Sequence, residues 1–172
     1  KGSGNIGATN VARVAGMRLG LFTLILDLIK GALPVFLAGT LAPQESSISM
    51  TVAALAAVGG HMFPVYTRLR GGGKGVATAA GCYLVISPLA CLAAVVMFAI
   101  VVRLSRRVSA GSIFAAATLS PAVWWFTSNR VLFAGALVVG LLVVIRHKDN
   151  MLRLVKGEEP PFFGSKDKPQ NF

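Results

Sequence analysis

One stretch limits this chain more than any other. Residues 19–41 form an apolar run broken by only two charges, Asp27 and Lys30. A helix rises ~1.5 Å per residue, so a run of this length crosses the ~30 Å hydrocarbon layer of a bilayer. Further apolar runs follow at 48–66, 75–87, 88–102, 113–127 and 130–145. The chain is 55% hydrophobic and only 13% charged, too apolar for an ordinary soluble domain. The expected fold class is therefore all-α: a polytopic integral membrane helix bundle with six helical segments. The run 75–87 is too short to cross upright on its own. It is read as one segment and 88–102 as the next, turning at Ser87-Pro88, because proline resists a continuous helix. The expected organisation is one membrane-embedded domain over 1–157, followed by a loose tail over 158–172.

Asp27 and Lys30 stand three residues apart, on one helix face. A charge in hydrocarbon is costly unless it is paired or faces a wet cavity. Structural pairing toward the protein interior is the default reading, and catalysis is the alternative. His61, at the end of the second run, is either a helix-end hydrogen bonder or a site residue. Cys82 and Cys91 fall inside apolar runs and read as buried free thiols, with nothing nearby to complete a metal site.

The net charge is +11. A soluble nucleic-acid binder carries its basic residues on a polar surface. Here they sit in short clusters between apolar runs, which argues against nucleic acid and for membrane topology plus an anionic substrate. When the loops alternate across the bilayer, one side receives 1–18, 67–75, 103–112 and 146–172, and with them fifteen of the 17 Lys and Arg. Arg130 lies on the other side and Lys30 within a span. The positive-inside rule places the basic side in the cytoplasm. Trp124 and Trp125 suit an interfacial belt, and apolar residues at 151, 154 and 155 suit a short interfacial helix. The chain begins at Lys1, within a motif and with no signal peptide in view, so a natural N-terminal stretch is expected ahead of it.

The basic side carries more than charge. Arg70-Gly71-Gly72-Gly73-Lys74-Gly75 leads into an apolar run that opens with Val76-Ala77-Thr78. Glycines allow a turn whose N–H groups approach an anion closely, and the helix that follows adds its positive end. The pattern is not a Walker A loop, because residue 68 is Arg and the residue after Lys74 is Gly. The plain alternative is a flexible basic loop. Ser3, Asn5 and Arg13 in the first loop, Ser109 and Ser112 in the third, and His147 and Asn150 in the last converge on the same side. Topology alone needs Lys and Arg but not these neutral groups; a phosphate pocket at the membrane surface needs both.

Three long motifs, in order, carry a resemblance: Gly2-Ser3-Gly4-Asn5-Ile6-Gly7-Ala8-Thr9-Asn10-Val11 with Arg13, Gly60-His61 through Gly71–Thr78, and Ile145-Arg146-His147-Lys148-Asp149-Asn150. Along nearly its whole length the chain resembles the bacterial acyl-phosphate–glycerol-3-phosphate acyltransferases. The resemblance implies seven helices in the full-length protein, the first lying before Lys1. It implies a monomer of the cytoplasmic (inner) membrane, with its site on the cytoplasmic side. The implied reaction moves an acyl chain from acyl phosphate to the 1-hydroxyl of glycerol 3-phosphate, giving lysophosphatidic acid and phosphate, without acyl-CoA, metal or other cofactor.

By the same resemblance, Ser3, Asn5, Arg13, Lys74, His147 and Asn150 contact glycerol 3-phosphate. Lys74, His147 and Asn150 carry the catalysis. Arg70, Gly71, Gly72, Gly73, Lys74, Gly75, Thr78, Ser109 and Ser112 are the candidates for acyl phosphate. No His-x4-Asp pair exists, since Tyr66 and Leu152 stand where the acid would be. Acyl phosphate is already activated, so positioning with a phosphate oxygen as proton acceptor is one mechanism, and His147 as general base the other. The alternative function is transport of a phosphate ester or other small anion.

Overall fold

The structure, a computed structural model, describes residues 2, 4–65, 68–69 and 71–162. Eight α-helices occur among them: α1 (Ala8–Ala15), α2 (Met17–Leu41), α3 (Ser46–Met62), α4 (Val76–Ile86), α5 (Pro88–Ser105), α6 (Val108–Thr127), α7 (Arg130–Arg146) and α8 (Lys148–Val155). The six apolar runs become α2 to α7, and α1 and α8 are short amphipathic helices at one end. The fold is an all-α membrane bundle, as the sequence leads one to expect.

The bundle is apolar on the outside. Along α2 only Gly20, Asp27, Gly31 and Val35 are buried, spaced to form one helix face. Leu21, Phe22, Ile25, Ile29, Leu33 and Phe36 all point outward and are exposed. A soluble helix would bury those side chains; one bathed in lipid gains nothing by doing so. Three helices, α2, α5 and α6, are long and apolar enough to cross a membrane; α7 joins them if it is counted with α8, across a bend of 57°.

Small residues set how closely the helices approach. α2 packs against α3 and α4, and α6 packs between α5 and α7. At the α2–α4 crossing, a Cβ on Gly31 would lie 2.0 Å from the Thr78 carbonyl oxygen, and one on Gly81 would lie 2.0 Å from that of Leu28. Each backbone fits into the notch left by the other's missing side chain. α4 and α5 turn at Ser87-Pro88, and Pro88 sits at the start of α5, where its absent N–H costs nothing.

Two expectations need correction. The basic, hydroxyl-rich stretch 103–112 is not a loop. α5 continues to Ser105 and α6 starts at Val108, leaving Arg106 (φ 59°) and Arg107 as the turn. Ser105 Oγ accepts from the Arg107 N–H, and Ser112 Oγ returns its proton to the Val108 carbonyl at 2.9 Å, so hydroxyls that read as loop-formers are absorbed by helix ends. Residues 158–162 are not loose either. Glu159 is buried, and the Phe162 N–H donates to Arg106 O at 3.0 Å. Residues 163–172 lie outside the described part of the chain.

Candidate functional site

The four polar segments meet at one end of the bundle. Asn5 Nδ2 donates to Gly72 O at 3.4 Å, Arg13 donates to Pro160 O at 3.4 Å, and Lys74 Nζ donates to Asn150 Oδ1. At the opposite end, Asn129 Nδ2 reaches Ser47 Oγ at 2.9 Å. Between α2, α4, α5, α6 and α7 the polar end opens into a cavity of about 800 Å³.

Each polar side chain reaches the cavity from a different helix end. Asn5 and Arg13 come from α1 and its lead-in, Lys74 and Gly75 from the start of α4, Ser109 and Ser112 from the first turns of α6, and His147 and Asn150 from the α7–α8 corner. Deeper in, the wall is apolar: Leu28, Ala80, Ala94, Phe98, Leu119 and Val139. One end can hold an anionic head, and the other can hold a hydrocarbon chain.

The glycine loop divides into two parts. Gly75, at φ 78°, is the left-handed N-cap of α4, a conformation glycine adopts without a Cβ penalty. Gly75, Val76 and Ala77 line the cavity, at the end of α4 toward which its first-turn N–H groups point. Gly72 and Gly73 are buried behind them. The Arg146 guanidinium takes Gly72 O at 2.9 Å and Gly73 O at 3.2 Å, while stacking over Phe63 with 5.4 Å to the ring centre. Among the described residues, Gly71 and Thr78 do not line the cavity either. Gly71 is exposed, and Thr78 is fully buried on the α2 side. Ser3 and Arg70 lie outside the described residues.

A chain of polar contacts runs behind the pocket. Asn150 Nδ2 donates to Glu159 at 2.6 Å and Arg153 Nε donates to the other carboxylate oxygen at 2.7 Å. Burial pushes the Glu159 carboxyl up, but nearby Ser109, the Asn150 and Arg153 hydrogen bonds and the Arg153 charge outweigh it and hold it below the usual range. Ser109 Oγ itself finds no hydrogen-bond partner of good geometry among the described residues. Burial lowers Lys74 against the opposing pull of Glu159, with Arg153 and Arg13 adding to the fall.

His147 Nδ1 lies 2.8 Å from Val143 O. A carbonyl only accepts, so Nδ1 carries the proton and Nε2 presents a lone pair. Burial, with Lys74 and Arg146 nearby, lowers its pKa to about 4 against the Val143 bond and Glu159. The imidazole is neutral at pH 7. No group of three or more His, Cys, Asp and Glu suited to a metal ion occurs among the described residues.

These features coincide with a known family. The profile of the glycerol-3-phosphate acyltransferases matches residues 1–157. The chain belongs to the glycerol-3-phosphate acyltransferase family. The member from Syntrophotalea carbinolica is 49% identical over 94% of this chain and 81% of its own length. The one from Myxococcus xanthus is 48% identical over 94% of this chain and 83% of its own. A crystal structure of PlsY (YgiH), an integral membrane glycerol 3-phosphate acyltransferase in its glycerol 3-phosphate form, superposes with a TM-score of 0.87. It is 36% identical, covering 95% of this chain and 80% of that one. A second, in a lysophosphatidic acid form, gives 0.85 at 35% identity, with 92% and 80% covered. Members of this acyltransferase family are enzymes, so the transport alternative is not the family's activity.

Sequence reading missed two residues of the acyltransferase cavity's polar wall and one behind it. Arg146 braces the glycine loop, and Arg153 and Glu159 line the cavity. Glu159 had one available signal: it is one of only 6 acidic residues in a strongly basic chain. The Asp27–Lys30 pair forms at 2.7 Å. His61 lies in the last turn of α3, where its ring bonds Lys30, and it also lines the cavity.

Proposed function

We propose that this acyltransferase takes its acyl group from acyl phosphate and delivers it to the 1-hydroxyl of glycerol 3-phosphate, at the cytoplasmic face of the inner membrane. One observation carries the reading. A single cavity gathers Arg13, Lys74, His147 and Asn150 at its polar end and continues between the apolar walls of the helices. The solved relatives, described in glycerol 3-phosphate and lysophosphatidic acid forms, support an acceptor and a product of these kinds.

In this reading Arg13, Lys74, His147 and Asn150, with Ser3 and Asn5, hold glycerol 3-phosphate. Gly75, the first turn of α4, Ser109 and Ser112 face the acyl phosphate. The acceptor oxygen attacks the acyl carbonyl carbon, a new C–O ester bond forms, and the C–O bond to phosphate breaks. The hydroxyl proton leaves to a phosphate oxygen or to His147 Nε2, and phosphate departs with the bonding pair. Lys74 and the α4 N–H groups stabilise the charge that builds on the leaving phosphate. The monomer is the functional unit of this reading.

The test is acyl transfer by the natural protein in lipid, with acyl phosphate and acyl-CoA compared as donors. Lysophosphatidic acid should form from acyl phosphate alone, and Lys74→Ala should abolish it. Product from acyl-CoA, or full activity in Lys74→Ala, sinks the reading.

A further inference from the structure

The Asp27–Lys30 pair does not stand alone. Lys30 Nζ donates to Asp27 Oδ1 at 2.7 Å and to His61 Nδ1 at 2.8 Å, and Asp27 and His61 are both buried. An ammonium only donates, so Nδ1 of His61 is the acceptor and Nε2 carries the proton. The ring is thereby fixed in both tautomer and orientation.

Its other edge meets the glycine loop. The Gly73 N–H donates to His61 O at 3.1 Å. A Cβ on Gly73 would lie 1.7 Å from His61 Nε2, so the imidazole fills the space that any other residue's side chain would need. Arg146 holds the Gly72 and Gly73 carbonyls from the opposite side. The peptide just before Lys74 is clamped between α3 and α7. A charge pair within a span is costly, and Asp27 and Lys30 could satisfy one another without a third partner. The contact to His61 connects them to the loop.

We infer that His61, held by Lys30 and Asp27, is a positioning residue for acyl transfer. It sets where the Lys74 ammonium and the first-turn N–H groups of α4 stand, and hence how tightly the departing phosphate of the acyl donor is held. The inference rests on the acyl-phosphate reading above.

Inorganic phosphate, the leaving group, is the probe. In the natural protein reconstituted in lipid, His61→Asn should raise the inhibition constant for inorganic phosphate and the KM for acyl phosphate about tenfold, roughly one good hydrogen bond's worth. The KM for glycerol 3-phosphate, which Lys74 also contacts in this reading, should rise by a smaller factor, and the melting temperature should hold. Asp27→Asn/Lys30→Gln, which removes both charges so that none is left buried alone, should show the same signature. Unchanged phosphate constants in both variants, or a parallel fall of every constant with the melting temperature, overturn the inference and leave His61 a packing residue. A wild type that neither uses acyl phosphate nor is inhibited by inorganic phosphate overturns the acyl-phosphate reading, and this inference with it.

Discussion

His147 shows how one side chain is prepared by its own helix. Its Nδ1–H is spent on Val143 O one turn back, which leaves Nε2 free to accept a proton or to orient a hydroxyl. His147→Gln keeps a polar side chain but removes the base. If Nε2 accepts the acceptor's proton, kcat falls by two to four orders of magnitude with KM little changed. If His147 only orients substrate, KM carries the loss. Steady-state kinetics on the two substrates separate these outcomes.

The same residue couples stability to pH. Unfolded His147 takes a proton below about pH 6.5, whereas the folded form resists until about 4. Between those values the unfolded state binds more protons, so stability is present above the upper value and is lost as pH falls. The span corresponds to roughly 3 kcal/mol at most. Glu159, lowered below its ordinary 4.5, acts in the same direction at more acid pH. Melting temperature should therefore drop between pH 6.5 and 4 in the wild type, and the slope should flatten in His147→Gln.

At the scale of elements, glycine positions divide by what surrounds them. Gly31 and Gly81 each face a carbonyl at the α2–α4 crossing. Either one changed to Ala must push the helices apart, an overpacking cost of about 1–3 kcal/mol. A Cβ on Gly60, in the last turns of α3, meets nothing within 4 Å. Gly60→Ala should be neutral or stabilising by up to ~1 kcal/mol, since alanine favours the helix. Thermal melting in detergent distinguishes the two classes. The helices themselves are legible in the sequence because each is a contiguous apolar run with a proline or polar break. The stretch 103–112 is misread because serine and arginine suit helix ends as well as loops, and only the packing of α5 against α6 decides between them.

Over the whole molecule, the polar loops lie at one end and the α6–α7 turn at the other. With the basic end placed in the cytoplasm as proposed, a cysteine introduced at Arg106 should be labelled by an impermeant thiol reagent only from the cytoplasmic side. One at exposed Ser128 should be labelled only from outside. Native Cys82 and Cys91 are buried and should stay silent. Labelling of both positions from one side contradicts the alternating topology.

The chain's apolar runs, its basic clusters and its three motifs are local properties. They determine by themselves a helical membrane bundle, the end of it at which the polar groups gather, and most residues of the polar wall. Asn5, Arg13, Lys74, Ser109, Ser112, His147 and Asn150 are all read from sequence and all line one cavity. Other features depend on partners far apart in the chain. Thr78 sits in the right motif, yet it is fully buried and does not line the cavity. Gly73 against His61, Arg146 on the glycine carbonyls, and Glu159 folded back beneath Asn150 belong to the tertiary structure. Steric fit and hydrogen bonding act over a few ångströms in space, and no pattern along the chain records which distant residues will come within that reach.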